Sequence, residues 1–278
     1  MTLGVRAIIS GVGPVGEPSA AGDTGAAAAT GRGRVRIAEV SKVYGDAAHP
    51  VRALDRLTLD AEPGAFVCVV GASGCGKSTL LNLVAGLDRP SAGVVDVEGR
   101  STLMFQEPAL FPWLTAARNV ELPLRLDGMA RVDRRARVDE LLAMVHLGEF
   151  ALKRPHELSG GMRQRVALAR ALGQRADVLL MDEPFGALDA MTRDVLHDEV
   201  ERIWRDAGLT VLFVTHNVRE AVRLGDRVVL LSSRPGRVIA EFPVEIERPR
   251  RIDSPAVATL AATITDQLRA EVTRHGES

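Results

Sequence analysis

The segment Gly71-Ala72-Ser73-Gly74-Cys75-Gly76-Lys77-Ser78-Thr79 constrains this chain more than any other. It satisfies every fixed position of G-x-x-x-x-G-K-[ST]. The apolar run Phe66-Val67-Cys68-Val69-Val70 before it reads as a buried strand, and Leu80-Leu81-Asn82-Leu83-Val84-Ala85 after it as the start of a helix. A strand, a glycine-rich loop and a helix in that order form an anion cradle. Glycines let the backbone turn its N–H groups inward, and the helix N-terminus adds partial positive charge. Lys77 is then placed to reach the β- and γ-phosphates of a nucleotide, and the Ser78 hydroxyl to ligate Mg²⁺.

Composition narrows the setting. The chain has 278 residues, 46% of them hydrophobic but only 4% aromatic, so aliphatic side chains must fill the core. Lys and Arg number 35 against 36 Asp and Glu, a balance that points away from a nucleic-acid surface. No apolar run reaches the roughly 18–20 residues that cross a bilayer. The two cysteines, Cys68 and Cys75, lack the spacing of a metal site or disulfide framework, which fits a reducing, cytoplasmic compartment. Cys68 reads as strand core. Cys75 has two readings: a thiol activated by the helix N-terminus, with a lowered pKa, or simply a small loop residue.

Residues 1–33 are rich in Gly, Ala, Pro and Ser and are expected to be a disordered tail. Strand patterns follow at Val35–Val40, Leu57–Leu59 and Gly93–Gly99. Residues 115–178 lean helical, with Val138, Leu141, Leu142 and Val145 on one face. The run from Asp177 to Asp182 is a strand buried on both faces, and Thr210–Val214 and Arg227–Leu231 are two more. This alternation predicts an α/β sheet core. Ser254 and Pro255 open a last amphipathic helix bearing Val257, Leu260, Ile264 and Leu268, read as packing on its own domain.

Three further segments belong with the phosphate loop. Met181-Asp182-Glu183-Pro184 closes a buried strand with two carboxylates. Asp182 is placed to hold Mg²⁺ and Glu183, one residue on, to polarise an attacking water. Leu158-Ser159-Gly160-Gly161-Met162-Arg163-Gln164-Arg165 is a capped helix start, hence a second anion-binding device. His216 ends the strand that carries Val214 and Thr215.

Together these segments resemble the ABC-type ATPases, the motor subunits of ABC transporters. The resemblance covers about residues 34–245. It implies a P-loop NTPase (RecA-like) core with an antiparallel β subdomain and an inserted helical subdomain. The ATPase domain is expected over 34–249, the insertion over about 107–178 and a helical extension over 250–278. It also implies ATP as ligand, with Mg²⁺. In that family the Ser159-Gly160-Gly161 segment of one subunit closes over the nucleotide of another, so a head-to-tail homodimer is expected. Tyr44 matches the aromatic that stacks on adenine, and Gln106 the glutamine that senses Mg²⁺ and water. Asp189, in Ala187-Leu188-Asp189, matches an aspartate that communicates across the dimer. His216 matches the histidine that touches the γ-phosphate, followed by Asn217 where many relatives carry Asp. The stretch from Gly99 to Phe105 is shorter than in many relatives.

Glu107-Pro108-Ala109-Leu110-Phe111-Pro112-Trp113-Leu114-Thr115 and Leu231-Ser232-Ser233-Arg234-Pro235-Gly236-Arg237 are similar to segments of nitrate, sulfonate and taurine importer ATPases. The first forms an apolar knob, either docking on a membrane subunit or buried in its own domain. The resemblance implies integral membrane permease subunits as direct partners and an external solute-binding protein as an indirect one. The chain is then peripheral on the inner face of the cell membrane. Aliphatic sulfonate is the leading solute, with nitrate, taurine or a related molecule as alternatives. Two rival classes are a soluble ABC-type ATPase acting in translation or DNA maintenance, and a regulator that binds ATP as a switch.

Overall fold

Strand β3 (Phe66–Val70) divides two apolar layers. Phe66, Cys68 and Val70 point to one, Val67 and Val69 to the other, as the two-residue period of a strand requires. The computed structural model describes residues 32–46, 48–186 and 188–276. The expected tail lies outside them except for Arg32 and Gly33. Gly33 belongs to the fold: it is buried, and its N–H donates to the Glu98 carbonyl at 2.6 Å.

Around β3 stand β1 (Val35–Tyr44), β2 (Val51–Ala61), β4 (Ala92–Val97), β5 (Ser101–Met104), β6 (Val178–Asp182), β7 (Thr210–Val214), β8 (Arg227–Leu231) and β9 (Val238–Pro243). A three-stranded antiparallel sheet runs β2-β1-β4. A six-stranded sheet runs β5-β6-β7-β3-β8-β9, parallel except for the antiparallel edge strand β9. Because β3 is central and parallel to β6, β7 and β8, their carboxyl ends gather at one edge. In open α/β sheets ligands bind at that edge.

The helices are α1 (Lys77–Val84), α2 (Ala116–Leu126), α3 (Arg131–Met144), α4 (Gly160–Leu172), α5 (Ala190–Ala207), α6 (Val218–Leu224) and α7 (Pro255–Gly276). Helix α1 buries Leu80, Leu81, Leu83 and Val84 with Leu54, Leu57 and Leu59 of β2 and Val35 and Ile37 of β1. The antiparallel sheet is thereby fixed over the phosphate loop. Helices α2, α3 and α4 all fall between β5 and β6. Val138, Leu141, Leu142 and Val145 are buried as their spacing predicted. Helix α7 buries Val257, Ala261 and Ile264 in the same layer as Ala221, Val222 and Leu224 of α6, so it packs on its own domain.

Side-chain caps mark where several helices begin. Thr115 accepts from the Arg118 N–H at α2, Ser159 from Met162 at α4 and Asp189 from Thr192 at α5. Asn217 accepts from the N–H groups of Arg219 and Glu220 at α6. An amide oxygen caps as well as a carboxylate does, which accounts for the tolerance of Asn after His216. Among the described residues, no helix is long and apolar enough to cross a membrane.

Candidate active site

The loop after β3 is closed by its own residues. Lys77, 7% exposed, donates from Nζ to the carbonyls of Gly71 at 2.8 Å and Ala72 at 2.9 Å. Gly76, at φ 102°, is the N-cap of α1, and no side chain caps that helix. The first-turn N–H groups are thus left for an anion. A Cβ at Gly76 would lie 2.7 Å from Leu54 and 2.8 Å from the Ala53 carbonyl, so only glycine fits.

Cys75 resolves its two readings. Its side chain is buried, 1% exposed, against the inner side of the loop. Burial pushes its thiol up; Lys77 opposes this but does not win. The lowered pKa expected from the helix N-terminus is therefore incorrect, and Cys75 is a packed loop residue rather than an activated nucleophile.

A cleft of about 400 Å³ opens beside the loop. Ser73, Gly74, Gly76, Lys77, Ser78 and Thr79 form its floor, Tyr44, Val51 and Ala53 one wall, and Gln106, Glu183 and His216 the far side. Tyr44 ends β1 and is held from outside: its hydroxyl donates to Asp88 at 3.0 Å, and the Lys42 ammonium lies 4.8 Å from its ring. Its ring face therefore has a fixed place at the apolar end of the cleft.

At the opposite end, the tips of β6 and β7 bring the acidic residues together. Asp182 is half-buried at the tip of β6, and burial raises its carboxyl pKa while the neighbouring Ser78 opposes the shift. Glu183 follows at φ 45°, a left-handed conformation unusual for a residue with a Cβ. Its N–H donates to the Val214 carbonyl at 2.9 Å. Its Oε2 lies 3.1 Å from His216 Nδ1 and accepts from Gln106 Nε2 at 3.4 Å. His216 is supported from below. Its neighbour Thr215 donates to buried Glu220 at 2.5 Å, and Glu220 lies 2.8 Å from Nε2 of fully buried His197 on α5.

Gln106 is tied to α4. Gln164 donates to the Gln106 carbonyl at 3.3 Å, and the Arg170 guanidinium donates to the carbonyls of Pro108 and Ala109. The Phe111–Leu114 loop follows directly. Buried Asn119 shapes it by accepting from the Phe111 N–H and donating to the carbonyls of Phe111, Leu114 and Thr115. Trp113 is 69% exposed, so the knob projects rather than packing inside its domain. Beside it lies a second cleft of about 460 Å³ lined by Leu87, Met104, Phe105, Phe111, Pro123 and Leu126.

Ser159 is exposed, and none of Ser159, Gly160 and Gly161 lines the nucleotide-sized cleft. Gly160 instead lines an adjoining cleft with Gln106, Glu183 and His216. Ala187 lies outside the described residues. Arg234 also lines the main cleft, unpredicted from sequence. Its segment enters the sequence reading only as a resemblance, and Ser233-Arg234-Pro235 carries no recognisable spacing.

Residues 54–186 match the ABC transporter family model. The chain is 44% identical over 230 residues to the taurine import ATP-binding protein TauB of Rhizobium johnstonii, covering 80% of this chain and 88% of that one. It is 43% identical over 220 residues to the nitrate import ATP-binding protein NrtD of a Synechocystis species, covering 76% and 83%. Among solved structures, it is similar to the dimeric post-hydrolysis state of the ATP-binding cassette MJ0796 bound to ADP and Pi. That match has TM-score 0.71 and 34% identity, and covers 77% of this chain and 100% of that one.

Proposed function

Because this chain belongs to the ABC transporter family of ATP-binding proteins, we propose that it is the ATP-hydrolysing motor of an importer for a small anionic or organic solute. The gathering of Glu183, His216 and Gln106 across one cleft from Lys77 carries this reading. ATP fits along the cleft, its base toward Tyr44 and its phosphates on the loop from Gly71 to Thr79. Glu183 takes the proton of the attacking water, and His216 orients that carboxylate and donates toward the γ-phosphate. Gln106 positions the water. Little covalent work is asked of the protein; catalysis is alignment and charge stabilisation.

The oxygens of Ser78 and Asp182 suit a hard divalent cation, and Gln106, which lines the same cleft as Ser78, could add its amide oxygen. Mg²⁺ held there would neutralise charge on the β- and γ-phosphates. The Ser159-Gly160-Gly161 segment caps the nucleotide of a second copy, giving a head-to-tail dimer with two ATPs. Closure and reopening move permease subunits docked on the Trp113 knob and the cleft beside it. The chain then sits on the cytoplasmic face of the membrane, and a solute-binding protein acts from the far side through the permease. The two relatives are by name import proteins for taurine and for nitrate, a small organic sulfonate and a small inorganic anion. Aliphatic sulfonate is the solute we favour, since taurine is itself one.

Two experiments test this. Trp113→Ala retains ATP binding but loses co-purification with the permease; unchanged co-purification refutes the docking role. A deletion strain fails to grow on aliphatic sulfonates as sole sulfur source, and normal growth there, with failure on nitrate, reassigns the solute.

A further inference from the structure

The loop between β8 and β9 is built with unusual care for a surface turn. The Ser232 N–H donates to the Arg237 carbonyl at 2.9 Å. The Ser232 hydroxyl donates to the Pro235 carbonyl at 2.7 Å and accepts from the Arg237 N–H at 2.9 Å. The Gly236 N–H donates to the Ala53 carbonyl at 2.9 Å, and its own carbonyl accepts from the Asp55 N–H at 3.1 Å. A Cβ on Gly236 would lie 2.2 Å from the Cys75 carbonyl oxygen. The turn therefore rests directly on the phosphate loop with no side chain between them. Arg237 is ion-paired with Asp55, which holds that carboxyl below its ordinary value. From the other side, the Ser233 N–H donates to Glu271 of α7 at 3.3 Å, and Glu271 is only 6% exposed.

This scaffold presents Arg234. Its Nε donates to the Gly74 carbonyl at 3.3 Å, and its side chain lines the cleft with Ser73, Gly74, Lys77 and Ser78. That one long bond uses one of five guanidinium donors. The contact falls at the phosphate-loop floor, not at an apolar group of the Tyr44 wall. A planar, permanently charged fork there suits a phosphate oxygen pair.

We propose that Arg234 is a further nucleotide-contacting residue, a second fixed cation beside Lys77 that binds the polyphosphate of ATP. Helix α7, through Glu271, is the positioning element that holds its loop in place. The inference rests on the reading of the cleft as a nucleoside triphosphate site.

The test is equilibrium binding of Mg·ATP and Mg·ADP to the full chain at low and high salt. Arg234→Ala weakens Mg·ATP binding about tenfold at low salt and flattens its salt dependence. Arg234→Lys recovers part of the loss and Arg234→Gln none. Glu271→Met removes the acceptor for the Ser233 N–H and, in a chain that still unfolds in one cooperative step, moves ATP affinity and salt dependence the same way by about two- to threefold. Arg234→Ala binding within twofold of the native chain, while Lys77→Ala abolishes binding, overturns the role of Arg234 and leaves the site reading intact. A native chain that binds no ATP overturns the site reading itself. Glu271→Met binding like the native chain overturns the part assigned to α7.

Discussion

The phosphate loop and the Ser159 segment are the same local device finished in two different ways. Both place glycines at the N-terminus of a helix. At α4 the helix caps itself, with the Ser159 hydroxyl taking the Met162 N–H. At α1 no side chain caps, and Gly76 leaves that position to a ligand anion. The loop at α1 also has walls: β2 on one side, the β8–β9 turn on another, and the tips of β6 and β7 across the cleft. In the Ser159 segment, Ser159 is exposed and Gly160 and Gly161 are half-buried, and none of the three lines the main cleft. One is a site that lacks only its ligand's last contacts, and the other supplies contacts without a site. The proposed head-to-tail pair is the arrangement that reconciles that difference.

The sharpest break would come from Glu183→Gln. It lowers ATP turnover by about 10²–10⁴ while retaining Mg·ATP, and gel filtration then shows a dimer. A strict monomer under those conditions, with permease present, ends the idea that the two segments meet. Next in size, Ser159→Arg leaves Mg·ATP affinity of the dilute chain within about twofold and removes ATP-driven dimerisation. Lost affinity at low protein concentration would place Ser159 in its own chain's site instead.

A glycine pair sharpens the comparison energetically. Gly76→Ala meets the Ala53 carbonyl in a left-handed conformation and costs about 1–3 kcal/mol in denaturant unfolding. At Gly160 a Cβ would meet nothing nearer than Arg163 at 3.9 Å, so Gly160→Ala stays within about 0.5 kcal/mol of the native chain. The smallest effect concerns Asp182. Burial raises its pKa, so the folded state holds that proton more tightly than the unfolded chain does. The ionised carboxylate therefore costs stability at neutral pH. Without Mg²⁺, Asp182→Asn melts about 1–2 °C higher at pH 7. The gap closes as the pH falls through the raised folded value toward the unfolded one. A gap that widens on acidification reverses the assigned cause.

Continuous apolar strands and fixed-spacing segments were legible before any coordinates, because their signals are local. β3 carries five apolar residues in a row and β6, β7 and β8 four each, and the cap residues sit where their helices start. Strand β5 was not seen: Ser101–Met104 is four residues long, and its order comes from pairing with β6 rather than from its own composition. The alternation of Val238, Ala240 and Phe242 could have revealed β9. The Leu57–Leu59 strand proved to be the middle of the longer β2. The choice between the two readings of Cys75 was not legible, because a helix terminus shows in sequence while the packing that desolvates a thiol does not. Arg234 was missed for the same reason, since its significance depends on a turn seated against a loop some 160 residues earlier.

The left-handed backbone at Glu183 has a practical corollary. Any side chain there pays a steric toll that glycine escapes, so selection for thermal resistance and selection for transport pull this codon in opposite directions. A Glu183→Gly variant is expected to survive heating as well as or better than its parent while leaving cells starved. Screens of this chain that score only solubility or heat tolerance will therefore enrich for dead motors.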